Sequence, residues 1–445
     1  MTDNLYRASV RSLISKAFLT EDELRAFVID WFPEHTKLLA NAMSYMAILN
    51  VLLEYIDSKL IASRIQSKYP ALYNKHCHVL SPNAQTVIVA SETQSGEIRT
   101  PVPPARSAYD PTWYASRPSE ESMALEALDF PGAAVALLAP EAFGKTWLLQ
   151  HILRAVKTRG RIVNLNLRVF GTAEIMSSYS RFLREFARQI LVDATDLTSE
   201  QAALEVEDAW RYADNPIDNL NTLMENRVLP RFSGGAWLIL ALDGVDAMGK
   251  HPYLEEFFTL LRGWMEDAAR PPWAALRLLL TLATAPRLLV SNIHQSPFNI
   301  ATMIELYDLE HAQIARLSEL YGLHWSSAEI DTLTDLVGGH PYLLRLLMHE
   351  AKRTGKDVDS LASGQSSAMN EYLLHCKRRL SAAPALHDAF MKILANSNAA
   401  LPFDIFDRLR HAGFLIRDAS SQAYAPRYKI YQRLLDSHGE YLTKP

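Results

Sequence analysis

Eight consecutive residues constrain this chain more than any others: Ala139-Pro140-Glu141-Ala142-Phe143-Gly144-Lys145-Thr146. Val135 to Leu138, before them, is short, apolar and suited to a buried strand. Trp147 to Val156, after them, carries a helical apolar stripe. Strand, loop and helix together fit the phosphate-loop pattern, with Ala139 where the pattern has its first glycine. The spacing has a chemical reason. Backbone N–H groups from Ala139 to Trp147, with the start of the helix, can surround anionic phosphates. Lys145 supplies a point charge toward the outer phosphates, and the Thr146 hydroxyl can hold Mg²⁺. Outside that setting, an ordinary Gly-Lys turn would account for the same residues.

A second motif follows about a hundred residues later, Trp237-Leu-Ile-Leu-Ala-Leu-Asp243-Gly-Val-Asp246. Its apolar run predicts a central parallel strand. Asp243 at the carboxyl end stands where a nucleotide site on an open sheet needs a carboxylate for Mg²⁺. Related enzymes often carry a glutamate next, but here the residue is Gly244. Asp246 is the local substitute, able to orient water; a capping or salt-bridging role in the loop explains it equally well. Nucleotide binding is therefore the firmer expectation and rapid hydrolysis the weaker one. A further apolar run, Leu276 to Leu282, ends near Thr281 and Thr284 with Arg287 just beyond, positions suited to sensing an outer phosphate. Near the entry to this region, Tyr114 and Arg117 could touch a base or phosphate; a surface role is the simpler account of Arg117.

At 445 residues and 50.1 kDa, the chain is long enough for two to four domains. A formal net charge of -5 gives no argument for nucleic acid or an anionic membrane. Two cysteines, Cys77 and Cys376, are too far apart for a metal-ligand pattern and read as free thiols in a reducing compartment. No apolar run approaches the length of a membrane span, and Met1 is not followed by a secretory signal pattern, so a soluble cytosolic protein is expected.

Residues 1–80 read as five or six short helices. Leu5, Val10, Leu13, Ile14, Ala17 and Phe18 recur at helical spacing, and Thr20 with Glu23 forms a capping box before Leu24, Phe27, Val28 and Trp31. His35, His76 and His78 have no ligand spacing. From Ser81 to Arg117 Pro, Ser, Thr and Gln are frequent, which places a linker at residues 81–108. Helices are expected from about Ser119 to Leu128, Phe182 to Ile190 and Tyr253 to Met265, with a strand at Arg161 to Leu167. The acidic stretch from Asp193 to Asp214 reads as exposed. Strands alternating with helices predict a central three-layer α/β domain. Gly338-Gly339-His340-Pro341 reads as the end of one helix and the start of the next. Beyond it, helices at Pro384 to Leu394 and Phe403 to Arg410, a strand at Gly413 to Ile416, a turn at Asp418 to Gln422 and a return over Ala423 to Tyr428 fit a small winged helix, followed by a helix at Tyr431 to Leu435. Its arginines form no extended basic tract, so an intramolecular latch fits better than DNA binding. His411 or Arg427 could reach a nucleotide phosphate in a closed form, and a surface role is the stronger account of each.

These motifs carry two resemblances. Residues 110–350, through Ala139 to Thr146, Leu238 to Asp246, Ser296-Pro-Phe-Asn299 and Ile304 to Leu309, resemble the signal-transducing ATPases with numerous domains, an AAA-like branch of the phosphate-loop NTPases. Gly339 and Pro341 then look like that family's Gly-x-Pro sensor, in which the proline approaches the nucleotide. Thr20 to Phe27, Ser44 to Tyr55 and Leu60 to Gln66 resemble the effector-associated, death-like helical domains of bacterial conflict proteins. The resemblance implies an NTPase core at residues 109–310, a helical lid at 311–375 and a winged helix at 376–445. It implies ATP or ADP with Mg²⁺, Lys145, Asp243 and Asp246 as the residues of any hydrolysis, and Thr146 with Asp243 as metal ligands. It further implies a nucleotide-dependent homo-oligomer in the bacterial cytoplasm and a role in antiphage defence. The partner would be an effector with a matching death-like domain, a protease or a pore-forming protein. The rival readings are a non-hydrolysing, nucleotide-stabilised scaffold and a DNA-binding regulator.

Overall fold

The structure is a computed structural model and describes residues 109–436 apart from 212, 233, 250, 291–292, 397–398 and 418–422. In the N-terminal part it describes residues 21–32 and isolated positions between 10 and 65. The chain divides into two compact units, Met1–Arg99 and Thr100–Pro445. In the first, helix α1 (Glu21–Trp31) turns Leu24, Phe27 and Val28 inward, the face that helical spacing selects. They join Val10, Ile14, Phe18, Phe32, Ile48, Leu52 and Ile61 in one core. The Phe18 and Phe27 rings lie 4.5 Å apart, and the Arg64 guanidinium sits 5.4 Å over the Trp31 ring. The expected Thr20–Glu23 capping box, Cys77 and the linker at 81–108 lie outside the described residues.

The second unit is built on five parallel strands: β1 (Ala134–Leu138), β2 (Gly160–Asn166), β3 (Trp237–Asp243), β4 (Leu276–Leu282) and β5 (Thr302–Glu305). Their order across the sheet is β2-β3-β4-β1-β5, with Asn166 beside Asp243 and Leu138 beside Leu282. Alternation along the strands makes the three layers. Val135, Leu137, Ile239, Ala241, Leu279 and Ile304 enter one core, while Ala136, Leu238, Leu240, Leu242, Leu278 and Leu280 enter another.

Helix α2 (Pro118–Leu128) opens on Pro118, where a missing N–H costs nothing. Helix α3 (Lys145–Val156) begins two residues before its apolar stripe, because Gly144 at φ +89° turns the loop directly into the helix. Helix α4 (Tyr179–Ala194) outruns the expected Phe182–Ile190 at both ends. The acidic stretch beyond it is less exposed than expected: Ser199–Ala209 is a helix with a Thr198–Gln201 capping box, and Ala202 and Val206 are buried. Helix α5 (Leu254–Glu266) packs its aromatic face on α4, with the Phe182 and Phe257 rings edge to face at 5.0 Å.

Three helices follow: α6 (His311–Leu320), α7 (Ser327–Val337) and α8 (Pro341–Thr354). They are termed the lid, because α6 and α8 line the cavity over the loop. Helices α9 (Ser367–Ser381), α10 (Pro384–Ala395) and α11 (Phe403–His411) lead to an antiparallel pair, β6 (Leu415–Arg417) and β7 (Tyr424–Pro426). Where a helix at Tyr431 to Leu435 is expected, a 3-10 turn at Lys429–Gln432 runs into the short helix Arg433–Asp436. This C-terminal block shares its core with the lid and with α3, through Tyr372, Cys376, Phe390, Phe414 and Tyr431. Burial pushes the Cys376 thiol up to about 11, so this cysteine is an inert core residue.

Candidate nucleotide site

The loop after β1 sits at the carboxyl edge of the sheet, tied down where Ala139 N donates to Leu282 O at 3.3 Å. Ala139 keeps an ordinary negative φ, so an alanine there carries no backbone penalty. The left-handed residue of this loop other than glycine is Ala142, at φ +67°. Lys145 is buried and folds back on its own loop, donating to Ala139 O and Pro140 O, each at 2.7 Å. Burial lowers its ammonium to about 8, with Asp246 and Asp243 pulling the other way and the Arg168 charge adding to the drop. Those two carbonyls stand in for the phosphate oxygens an ammonium at this position is suited to meet.

Asp243 gathers three partners at the end of β3. Thr146 Oγ1 donates to its Oδ2 at 2.9 Å, Thr281 Oγ1 donates to its Oδ1 at 2.5 Å, and Asn166 Nδ2 reaches Oδ2 at 3.5 Å. Sheet order brings this about, since β3 lies between β2 and β4. This donor set fits a Mg²⁺ ion: the Thr146 hydroxyl and the Asp243 carboxylate are adjacent oxygen donors that would hold it. Gly244 has a structural reason for being glycine. Its φ is +76°, and a Cβ there would lie 2.8 Å from Arg168 Nε. Its N–H donates to Thr281 Oγ1 at 2.8 Å. Asp246 accepts from Arg168 Nη2 at 3.2 Å and from Ala283 N at 3.2 Å, so its carboxylate closes the loop against β4.

A 440 Å³ cavity opens over the loop, within the range of small-molecule sites. Its far end is aromatic: Trp113, Tyr114 and Trp147 line it with Arg345. Tyr114 stacks on His151 at 4.4 Å, and the Arg345 guanidinium lies 4.2 Å over Trp147. The Tyr114 hydroxyl and Arg345 Nε and Nη2 are buried and make no hydrogen bond among the described residues. Arg117 is buried too, with Nη2 donating to Tyr307 O at 3.0 Å. Trp113 and Arg345 escape a motif search, because only the lid's position over the sheet brings them to Trp147.

A pair of glycines joins α7 to α8. Gly338 ends α7 at φ +59° under Tyr428, and a Cβ on Gly339 would lie 2.2 Å from Leu309 O. His340 caps α8 and Pro341 occupies its first turn, facing the cavity. Burial, then the Arg427 charge, pushes His340 down to about 3, so the ring is neutral at Nδ1, where it accepts from Leu343 N at 3.3 Å. It packs between Phe143 of the loop and Tyr428 of the C-terminal block, at 4.8 and 5.5 Å. Arg427 covers Phe143 at 4.8 Å, and Tyr428 donates to Asp308 at 2.6 Å.

Lys145, Thr146, Trp147, Asp243, Thr281 and Pro341 thus converge on one cavity together with the loop residues Glu141 to Gly144. Thr284 and Arg287 do not. Thr284 lines a second cavity on the C-terminal side of the loop, and Arg287 is paired with Asp407 of α11. His411 faces that second cavity and bonds Asp407 O at 2.8 Å through Nδ1. Among the described residues no helix is long and apolar enough to cross a membrane.

Comparison with known proteins places this arrangement. The Walker-type ATPase of Pyrococcus abyssi shares the fold with a TM-score of 0.51 at 14% identity, over 73% of this chain and 96% of its own. An Aeropyrum pernix ORC2 protein, solved as complexes with ADPNP and ADP, matches at a TM-score of 0.42 and 14% identity, over 75% and 97% of the two chains. A Pyrococcus horikoshii signal transduction ATPase with numerous domains, bearing a tetratricopeptide repeat sensor, matches at 0.35 and 14%, over 78% of this chain and 45% of its own. No curated protein matches. The model of the AAA-like domain family matches residues 102–437, from before α2 to the end of the C-terminal block, and the chain belongs to that family.

Proposed function

We propose that this protein is an ATP- or ADP-controlled switch in which nucleotide and Mg²⁺ set the relation of the C-terminal block to the core. The observation that carries this reading is the junction of Thr146 with Asp243 at 2.9 Å, under a cavity that the lid and C-terminal block also line. A ligand bound there touches both the core and the elements closed over it, so it can favour one arrangement over another. The C-terminal block acts as a winged-helix latch, and opening it exposes an assembly face for a homo-oligomer. The N-terminal helical unit then recruits an effector with a matching death-like domain in the bacterial cytoplasm, in antiphage defence or regulated cell death; this part rests on the sequence resemblance alone.

A second reading, a scaffold that holds nucleotide without turning it over, has one observation in its favour. Gly244 occupies the place of a water-activating glutamate, and Asp246 is engaged with Arg168 and Ala283. One experiment tests both. Nucleotide copurified with the protein is identified, and mass and phosphate release are measured with ATP for wild type, Lys145→Ala and Asp243→Ala. A switch requires bound nucleotide and a mass change that both substitutions abolish. Bound nucleotide with neither turnover nor a mass change selects the scaffold, and no bound nucleotide in any protein sinks both.

A further inference from the structure

Glu141 stands on the phosphate loop, yet its carboxylate holds two arginines from different parts of the chain. Arg168, just past β2, lies between two carboxylates, its Nη1 3.8 Å from Glu141 Oε1 and its Nη2 donating to Asp246 Oδ2 at 3.2 Å, and Arg379 Nε, on α9, lies 3.3 Å from Glu141 Oε2. All three side chains border both the main cavity and the second one, so they stand at the passage between them. The Arg168 charge is near enough to Lys145 to oppose its protonation. Arg379 also reaches outward: its Nη2 donates to Ala412 O at 3.3 Å, and its guanidinium lies 5.3 Å over the Phe414 ring. Meanwhile Arg287, the cation that spacing alone suggests for an outer phosphate, is committed to Asp407.

We propose that Glu141 is an internal substitute for the terminal phosphate of a nucleoside triphosphate. Its carboxylate pairs with Arg379 and shares Arg168 with Asp246, and a terminal phosphate bound beside it would draw both arginines away. The proposal rests on the nucleotide reading above and names the groups that tell a triphosphate from a diphosphate at that site. Three properties of the cluster support it. Glu141 belongs to the loop that would wrap the phosphates, so exchange requires only short side-chain movements. Glu141 and Arg168 are 39% and 43% exposed, which makes their pairing weak and readily exchanged. A phosphate offers more charge and more acceptor oxygens than a carboxylate, and arginine matches it with paired N–H groups. Release of Arg379 from Glu141 then bears on Ala412 and Phe414, which gives the C-terminal block a way to register the third phosphate.

The test compares affinities for ADP and for a non-hydrolysable ATP analogue, with Mg²⁺, by calorimetry on the full chain. Arg168→Ala and Arg379→Ala are expected to weaken the triphosphate about tenfold and the diphosphate by less than about threefold, the scale of one charge-assisted hydrogen bond. Glu141→Gln removes the competitor, so it should strengthen the triphosphate by about threefold or more beyond any change in ADP affinity. That opposite sign is what a purely structural role for Glu141 would not produce. Equal weakening of both nucleotides by all three substitutions, or weaker triphosphate binding in Glu141→Gln, overturns the proposal while the nucleotide reading stands. Wild type that binds neither nucleotide overturns both.

Discussion

Arg287 Nε donates to Asp407 Oδ2 at 3.1 Å, and its Nη2 pairs with the other carboxylate oxygen. This bond joins the segment after β4 to α11, the core to the C-terminal block. The partners are unequal: Arg287 is half exposed, whereas the Asp407 side chain is 2% exposed and has the His411 ring as a further neighbour, at 3.3 Å from Oδ1. Removing the arginine leaves a buried carboxylate with little compensation, and that asymmetry decides the sign of the effect. Arg287→Ala should cost about 2 kcal/mol and raise hydrogen exchange over residues 403–417, whereas Arg287→Ala with Asp407→Asn should recover much of the loss. Equal thermal stability of wild type and Arg287→Ala would show that the pair does not hold the block.

The lysine of the phosphate loop predicts a pH dependence. Its ordinary value is 10.5, and burial brings it to about 8. Below pH 8 it is charged before and after a nucleotide arrives, so affinity is flat. Above pH 8 the free protein loses the proton that a phosphate would need, and affinity falls by up to about tenfold per pH unit. The effect on folding has the opposite direction: between pH 8 and 10.5 the unfolded chain binds more protons, so this residue's contribution to stability rises with pH. Titrating ADP at pH 7, 8 and 9 into wild type and Lys145→Met separates the two, since the variant should show no such fall.

Gly244 should not accept the glutamate whose place it takes. At φ +76° any side chain is strained, and its Cβ would meet Arg168. Gly244→Glu is expected to lower stability by about 1–2 kcal/mol without raising phosphate release. A variant as stable as wild type with faster release would refute the backbone explanation.

Ala142 is the complementary case. A glycine there relieves the left-handed strain of an alanine at φ +67°. The gain, about 1–2 kcal/mol, exceeds the roughly 0.5–1 kcal/mol of extra chain entropy that glycine loses on folding. Ala142→Gly should therefore raise the midpoint of thermal unfolding, and a lower midpoint would contradict the local geometry.

Gly339 tests the packing of the α7–α8 junction. A methyl group there must displace the Leu309 carbonyl, 2.2 Å away, which is backbone and cannot swing aside. Gly339→Ala should destabilise the lid by about 2 kcal/mol or more, with faster exchange across residues 309–345. Unaltered exchange would mean that the lid already stands clear of that contact.

Local pattern was sufficient for much of this chain. The mostly apolar runs at Val135, Trp237 and Leu276 read as buried strands, since four to seven residues with so few polar side chains leave no solvent face to spare, and the Gly144-Lys145-Thr146 turn is suited to open a helix. The helix inside the acidic stretch escaped that reading because Ala202 and Val206 supply too small a stripe to stand out among carboxylates. Sequence by itself determined the strands, the loop and which residue types stand at its ends. Tertiary structure alone decided their company. Crossovers put Asp243 between Thr146 and Thr281, from a helix and a strand that are remote in the chain, and the lid carried Arg345 over Trp147. The same folding paired Arg287 with Asp407, set Arg379 on Glu141 and left Arg168 between Glu141 and Asp246. The reason is physical: an arginine's long side chain pairs with whichever carboxylate the packing of buried helices brings within reach, and spacing along the chain carries no record of that choice.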